Sequence, residues 1–198
     1  RALYLSLAVF LASGLTLIAL SSWWLLLVGL AVGLGIFAYS GGPYPLSYHG
    51  LGDVAVLVFF GWVPVVTSFF ILRGTIADPT LWQLATAIGL ASVNILVVNN
   101  YRDAEEDRKA GKRTLIVRMG RDFAPRFYLT CGLLSLGLLY PIYSFWRMLL
   151  MLPYVLFSAT HRHLQFAEGA ELNKTLGKTA RNVFFLALLI GAMLLLKG

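Results

Sequence analysis

Charge is what this sequence has least of. Of its 198 residues, 13% are charged and 59% hydrophobic, whereas a soluble domain carries roughly 25% charged residues. The shortfall excludes an ordinary soluble domain and points to an integral membrane protein whose first partner is the lipid bilayer. Acids are scarcer than bases, 9 against 16, for a net charge of +7. In a soluble chain that excess would suggest nucleic acid. Here the basic loops that orient membrane proteins account for it, and no nucleic-acid partner is expected. The one cysteine, Cys131, lies inside an apolar run, which excludes an intrachain disulfide framework. The chain begins Arg-Ala-Leu-Tyr, without methionine and already entering an apolar stretch. That stretch is too long for a signal peptide and no cleavage site follows. An N-terminal portion is therefore expected ahead of Arg1.

Long uncharged runs are what the chain does have. Ala2 to Tyr48 contains no Asp, Glu, Lys or Arg. A single span needs about 20 apolar residues, so this stretch reads as two helices, Ala2–Leu20 and Trp23–Tyr39, joined at Ser21-Ser22. A loop rich in Gly and Pro follows, Ser40 to Asp53. Further helices are expected at Val54–Leu72, where Pro64 is tolerable in a membrane, and at Thr80–Val98. Phe127–Phe145 should follow with a kink at Pro141, then Met148–Thr160, a polar segment His161–Arg181, and a last helix, Asn182–Leu196. The expected fold is all-α: one polytopic transmembrane bundle of about seven helices, with residues 1–198 forming a single domain.

Charge asymmetry orients that bundle. If all seven segments cross, one side carries Arg1, Arg102, Arg108, Lys109, Lys112, Arg113, Arg118, Arg121, Arg126, Arg162, Lys174, Lys178 and Arg181. The other side has only Arg73, Arg147 and Lys197. The side with more Lys and Arg is expected to face the cytoplasm. It also holds the Gly-Pro loop and the densest charge in the chain, Asn99 to Arg113.

That charged stretch carries the chemistry. Asn99, Asp103 and Asp107 are spaced four apart, so on a helix they share one face, with Arg102 and Glu106 beside them. Oxygen ligands at one-turn spacing suit Mg²⁺, which takes carboxylates together with substrate phosphates. The basic run that follows, Lys112, Arg113, Arg118 and Arg121, can hold a diphosphate. Asp103 and Asp107 are expected as metal ligands and catalytic groups, with Asn99 as a further ligand and Asn100 as a ligand or orienting group. Arg102, Lys112 and Arg118 are the candidate phosphate contacts, Lys112 also being catalytic. Each of these bases is equally well explained as a plain cytoplasmic anchor, and the acids as a solvated loop balancing them. At least one of Glu105 and Glu106 should point to water. In the Gly-Pro loop, Tyr48 and His49 are candidate contacts for an aromatic acceptor.

The stretch Asn-Asn-x-Arg-Asp-x-x-x-Asp-Arg-x-x-Gly-Lys-Arg-Thr-Leu-x-Val-Arg, Asn99 to Arg118, resembles the second acidic motif of the UbiA superfamily of membrane prenyltransferases. Within that superfamily it is most like the MenA-type enzymes, the 1,4-dihydroxy-2-naphthoate polyprenyltransferases. Tyr39 to Pro43, Tyr48 to Asp53, Phe59-Phe60-Gly61 and Leu172 to Ala180 are also similar to that family. The resemblance implies a nine-helix fold around a central cavity, with Mg²⁺ held between two acidic motifs. It implies a polyprenyl diphosphate donor and an aromatic acceptor that loses its carboxylate as CO₂, as in menaquinone biosynthesis. Nothing in this chain matches the family's first acidic motif. Two helices carrying it are therefore expected ahead of Arg1.

Other acceptors within the superfamily (4-hydroxybenzoate, homogentisate, haem) remain open. A transporter with an acidic cytoplasmic gate would place ionisable residues deep within several helices, and here they cluster at one end. The Asp-Gly-x-x-Ala-Arg opening of a phosphatidyltransferase is not present. Several other residues have plainer explanations. Asp53 suits the N-terminal dipole of its helix, Asn94 an interhelical hydrogen bond, and the tryptophans an aromatic belt. Phe59, Phe60, Phe69 and Phe70 fit either an isoprenoid tunnel or lipid-facing packing. His161-Arg162-His163 lacks the neighbouring ligands of a metal site.

Overall fold

The structure, a computed structural model, describes residues 2–142 and 147–197. Seven long helices carry it: α1 (Ala2–Leu20), α2 (Trp24–Ser40), α3 (Gly52–Arg73), α4 (Pro79–Arg102), α7 (Phe123–Leu139), α8 (Met151–Phe166) and α9 (Glu171–Lys197). Two short helices, α5 (Ala104–Lys109) and α6 (Leu115–Met119), lie between α4 and α7. Among the described residues there is no strand. The all-α bundle expected from the sequence is what forms. Of these helices, α3, α4 and α9 are long and apolar enough to cross a membrane.

Helix α4 is the hub, packing against α3, α7 and α9. Its small residues explain why: Ala85, Ala87 and Ala91 are fully buried, and short side chains let helix backbones approach in lipid, where dispersion and hydrogen bonds replace the hydrophobic drive. The tightest approach joins α3 to α4. A Cβ added at Gly61 would sit 2.5 Å from Gly89 Cα and 2.7 Å from the Ala85 carbonyl oxygen. Both obstacles are backbone and cannot turn aside. Gly61→Ala should therefore destabilise the protein by about 1–3 kcal/mol through overpacking, read as a lower midpoint of thermal unfolding in detergent. An unchanged midpoint would show that α3 and α4 can part freely.

Around Gly61 the helix is wider than an α-helix. Leu57 to Trp62 form a π-helical turn, and Pro64 follows. Proline has no N–H to offer the carbonyl one turn back, and its ring crowds that carbonyl. A local π turn absorbs the mismatch without ending the helix.

Helices α1 and α2 contrast with the hub. Leu25 is the one buried residue described on them, and their Leu, Val and Phe side chains face outward. In water that surface would drive aggregation; in a bilayer the lipid tails cover it.

Several boundaries differ from those expected, each for a physical reason. Helix α4 runs on through Asn99, Asn100 and Arg102, so the charged motif begins inside it. Helix α7 stops at Leu139 and Pro141 lies in a turn beyond it rather than at a kink; residues 143–145 of the expected helix lie outside the described residues. His161–Arg181 is mostly helical: His161 to Phe166 end α8, and α9 begins at Glu171. Leu172, Thr175, Thr179, Asn182 and Leu186 are all buried, a stripe at helical spacing that the intervening Lys174, Lys178 and Arg181 obscured. Asn182 Nδ2 donates to Thr160 Oγ1 (2.8 Å) and to the Leu156 carbonyl (3.1 Å), tying α9 to α8. Asn94, by contrast, is fully buried yet makes no side-chain hydrogen bond among the described residues. The interhelical bond expected of it does not form.

Candidate active site

The charged motif keeps its facing because helical hydrogen bonding survives a break. Asp103 closes α4 with φ −93° and ψ 6° and also precedes α5. Its N–H still donates to the Asn99 carbonyl (3.0 Å), and the Asp107 N–H to the Asp103 carbonyl (2.8 Å). Asn99, Asn100, Asp103 and Asp107 therefore line one polar cavity of about 410 Å³. Gly111 then turns the chain back with φ +76°, a conformation that side chains disfavour. That turn brings Lys112 into the same cavity, its Nζ 2.8 Å from Asp107 Oδ1 and 5.8 Å from the centre of the Tyr48 ring.

The opposite wall comes from the end of α2 (Tyr39, Ser40), the Gly-Pro loop (Ser47, Tyr48, Gly50) and the start of α3 (Gly52, Asp53). Backbone contacts hold this loop to the charged segment. The Arg113 N–H donates to the Tyr48 carbonyl (2.9 Å) and Arg118 Nη2 to the His49 carbonyl (2.9 Å). Gly50 makes the approach possible: at φ +73°, a Cβ there would stand 2.9 Å from the Arg113 carbonyl.

Both candidate aspartates of the motif already hold a cation. Arg102 grips Asp103 through Nε (2.7 Å) and Nη2 (2.8 Å), and donates to Asn99 Oδ1 (2.8 Å) and to Asn173 Oδ1 on α9 (2.9 Å). This two-point grip holds the Asp103 carboxyl below the usual carboxylate range. The Asp107 carboxylate likewise raises the Lys112 ammonium above its usual value. Self-neutralisation lets a stack of acids stand at a membrane interface without an isolated charge.

Of the residues expected from the sequence, Asn99, Asn100, Asp103, Asp107, Lys112 and Tyr48 converge on the cavity, and Arg102 braces it from beside Asp103. Two do not enter it. Arg118 is committed to the loop carbonyl, and the His49 ring stacks on Tyr44 with centroids 3.5 Å apart while Nδ1 lies 2.8 Å from the Pro45 oxygen. Tyr39, Ser40, Asp53, Thr114 and Asn173 were not singled out as site residues. Asp53 had a legible signal, being the one acid in an otherwise uncharged helix before Arg73.

The polar cavity adjoins an apolar groove of about 590 Å³. Val32, Ile36, Val56, Phe59 and Phe60 line the groove, and Tyr39, Ser40, Leu96 and Asn99 line both spaces. Phe59, whose ring packs against Gly35, and Phe60 thus face the groove; Phe69 and Phe70 do not line it.

A hard divalent cation fits this chemistry. No three His, Cys, Asp or Glu side chains among the described residues cluster to enclose a metal unaided. The Asp103 and Asp107 carboxylates and the Asn99 amide do share the cavity, the kind of set Mg²⁺ uses when substrate phosphates complete its shell.

A family model described as the UbiA prenyltransferase family matches residues 1–189. The chain belongs to this family. It is 38% identical over 164 residues to the 1,4-dihydroxy-2-naphthoate octaprenyltransferase of Escherichia coli, covering 77% of this chain and 53% of that protein. It is 42% identical over 115 residues to the octaprenyltransferase of the same name from Mycobacterium tuberculosis (58% and 39% covered). The UbiA prenyltransferase domain-containing protein 1 of Homo sapiens is 35% identical over 137 residues (67% and 34% covered). The chain thus spans about half the length, or less, of these UbiA relatives. No solved structure matches it.

Proposed function

We propose that this UbiA-family chain is part of an aromatic prenyltransferase and carries one side of its diphosphate site. The reaction is transfer of a polyprenyl group from polyprenyl diphosphate to 1,4-dihydroxy-2-naphthoate with loss of CO₂, a step of menaquinone biosynthesis. One observation carries the reading: a polar cavity with stacked acids and bases lies against an apolar groove and shares Tyr39, Ser40, Leu96 and Asn99 with it. A polyprenyl diphosphate has that same division, a polyanionic head on a hydrocarbon tail. The names of the relatives supply the acceptor.

In this reading the diphosphate enters where Arg102 and Lys112 stand, drawing these cations from Asp103 and Asp107. The freed carboxylates and Asn99 would hold Mg²⁺, which when bound neutralises the charge gathering on the departing diphosphate. Lys112 follows that charge as the allylic C–O bond breaks. The groove holds the tail and keeps water from the allylic carbon, leaving the electron-rich acceptor ring to attack it. Tyr48 borders the head-group side of the cavity and would stack against that ring. The cavity opens toward the cytoplasm, on the side where positive charge is concentrated.

The test is an assay of purified protein in detergent, expressed with any residues its gene encodes ahead of Arg1. Supplied with polyprenyl diphosphate, dihydroxynaphthoate and Mg²⁺, it should form the prenylated naphthoquinol, and chelation should stop turnover. Turnover of 4-hydroxybenzoate or homogentisate alone would replace the acceptor and keep the family reaction. Turnover undiminished by chelation would overturn the metal reading.

A further inference from the structure

Three acids line the polar cavity, and two are spoken for. Asp103 and Asp107 each hold a cation at 2.7–2.8 Å. Asp53 has no ion-pair partner among the described residues, although it is only 9% exposed. Burying a carboxylate without a counter-ion is costly, and the N-terminal dipole of α3, whose first turn Asp53 occupies, offsets only part of that cost. Nor do the three acids converge as a metal cage, so Asp53 is not a third ligand completing a set with the motif. Its position is specific. It opens α3 at the seam between the two spaces: Asp53 lines the polar cavity, while Ala55 and Val56, two and three residues on, line the apolar groove. Gly52 beside it leaves room for the far wall. A Cβ there would lie 3.3 Å from Leu96 and 3.6 Å from the Tyr39 hydroxyl.

We infer that Asp53 is the catalytic base for the acceptor, taking the proton from the ring hydroxyl next to the carbon that attacks. The inference rests on the prenyl-transfer reading above and assigns its missing acid–base group. A reacting hydroxyarene must place its ring beside the allylic carbon, where head group meets tail, and that seam is where Asp53 stands. The electron balance is closed. As the hydroxyl O–H bond breaks toward Asp53, the ring carbon forms a C–C bond to the allylic carbon. The allylic C–O bond breaks, and diphosphate leaves with its electron pair. Attack by the carboxylate-bearing carbon leaves a β-keto acid, and loss of CO₂ returns the electron pair to the ring oxygen. That oxygen then takes its proton back from Asp53, which ends the cycle as it began. Asp103 and Asp107 cannot do this while engaged with cations, which favours Asp53 for the task.

The experiment compares the parent protein, Asp53→Asn and Asp53→Glu, each expressed with any residues encoded ahead of Arg1. Thermal unfolding and polyprenyl diphosphate binding are measured alongside kcat and KM. Acceptors are dihydroxynaphthoate and ring-halogenated analogues with more acidic hydroxyls. Asp53→Asn should keep its fold and its diphosphate affinity and lose about 10²–10⁴-fold in kcat, the usual contribution of a general base. Asp53→Glu should recover part of that loss. The loss in Asp53→Asn should shrink steadily as the acceptor hydroxyl becomes more acidic, because a pre-ionised acceptor needs no base. A structural role would give the same loss with every acceptor, and that result overturns the inference. So would full activity of Asp53→Asn. Failure of the parent itself to transfer a prenyl group would overturn the prenyl-transfer reading, and this inference with it.

Discussion

Asp103→Ala and Asp107→Ala are each expected to lower prenyl transfer by at least about 10²–10³-fold, the scale seen when one preorganised electrostatic contact to a developing charge is lost. The two changes should differ in what else they disturb. Asp103 and Arg102 are each 30% exposed, so losing that pair leaves Arg102 free to reach water and to keep its bond to Asn173. The pair is part-buried, but solvent reaches both partners. Its loss should cost little more than the ~0–1 kcal/mol of a surface pair, and Asp103→Ala should unfold close to the parent temperature. Calorimetry of Mg²⁺ binding in the presence of inorganic diphosphate should show the metal contribution lost in both variants. Full turnover by either variant would remove that carboxylate from the site.

Lys112→Ala carries the second large effect, on folding as well as catalysis. Asp107 is 9% exposed against 33% for Lys112, so removing the lysine strands a buried carboxylate. Breaking a fully buried pair costs about 3–5 kcal/mol. The solvent reaching Lys112 lowers the expected cost to about 2–3 kcal/mol, seen as a fall in the unfolding midpoint. The double change Lys112→Ala with Asp107→Ala should restore most of that stability while remaining inactive. Stability that worsens additively in the double variant would show that the two residues do not act as a pair. Lys112→Arg should preserve stability better than activity, because a planar fork replaces a compact ammonium in a site shaped around the smaller group.

The motif was legible because it is local. Asn99, Asp103 and Asp107 are related by helix periodicity, and a break at Asp103 that keeps the hydrogen bonds going does not disturb that relation. The bundle was legible for a similar reason, since uncharged runs have no soluble alternative. What escaped the sequence depends on distant partners. Arg118 carries the same charge as Lys112, yet one holds a loop carbonyl and the other a carboxylate. The fold of Gly50 against Arg113 makes that choice, and no spacing encodes it. Asp53 does stand in the first turn of α3, where it complements the helix dipole, but its place on the cavity wall depends on what faces it from α2 and α4. The helical start of α9 was hidden because charged side chains outnumber the small polar ones that turn inward. Asn173 was overlooked for the same reason, although Arg102 reaches across to it from α4.

One helix serves as both the centre of the packing and the carrier of Asn99 and Asn100, with Asp103 at its end, and this restricts how the gene can change. A residue inserted in α4 between the last buried valine, Val98, and Asn99 would rotate everything beyond it by about 100° and advance it by about 1.5 Å. The acids, with Lys112 beyond them, would swing away from Tyr39, Tyr48 and Asp53 on the facing wall while the packing behind them stayed intact. The protein would fold and be inert. Insertions between Arg73 and Pro79, where the chain is exposed, cost only loop entropy. Length drift in this protein is thus tolerable ahead of α4 and forbidden within it.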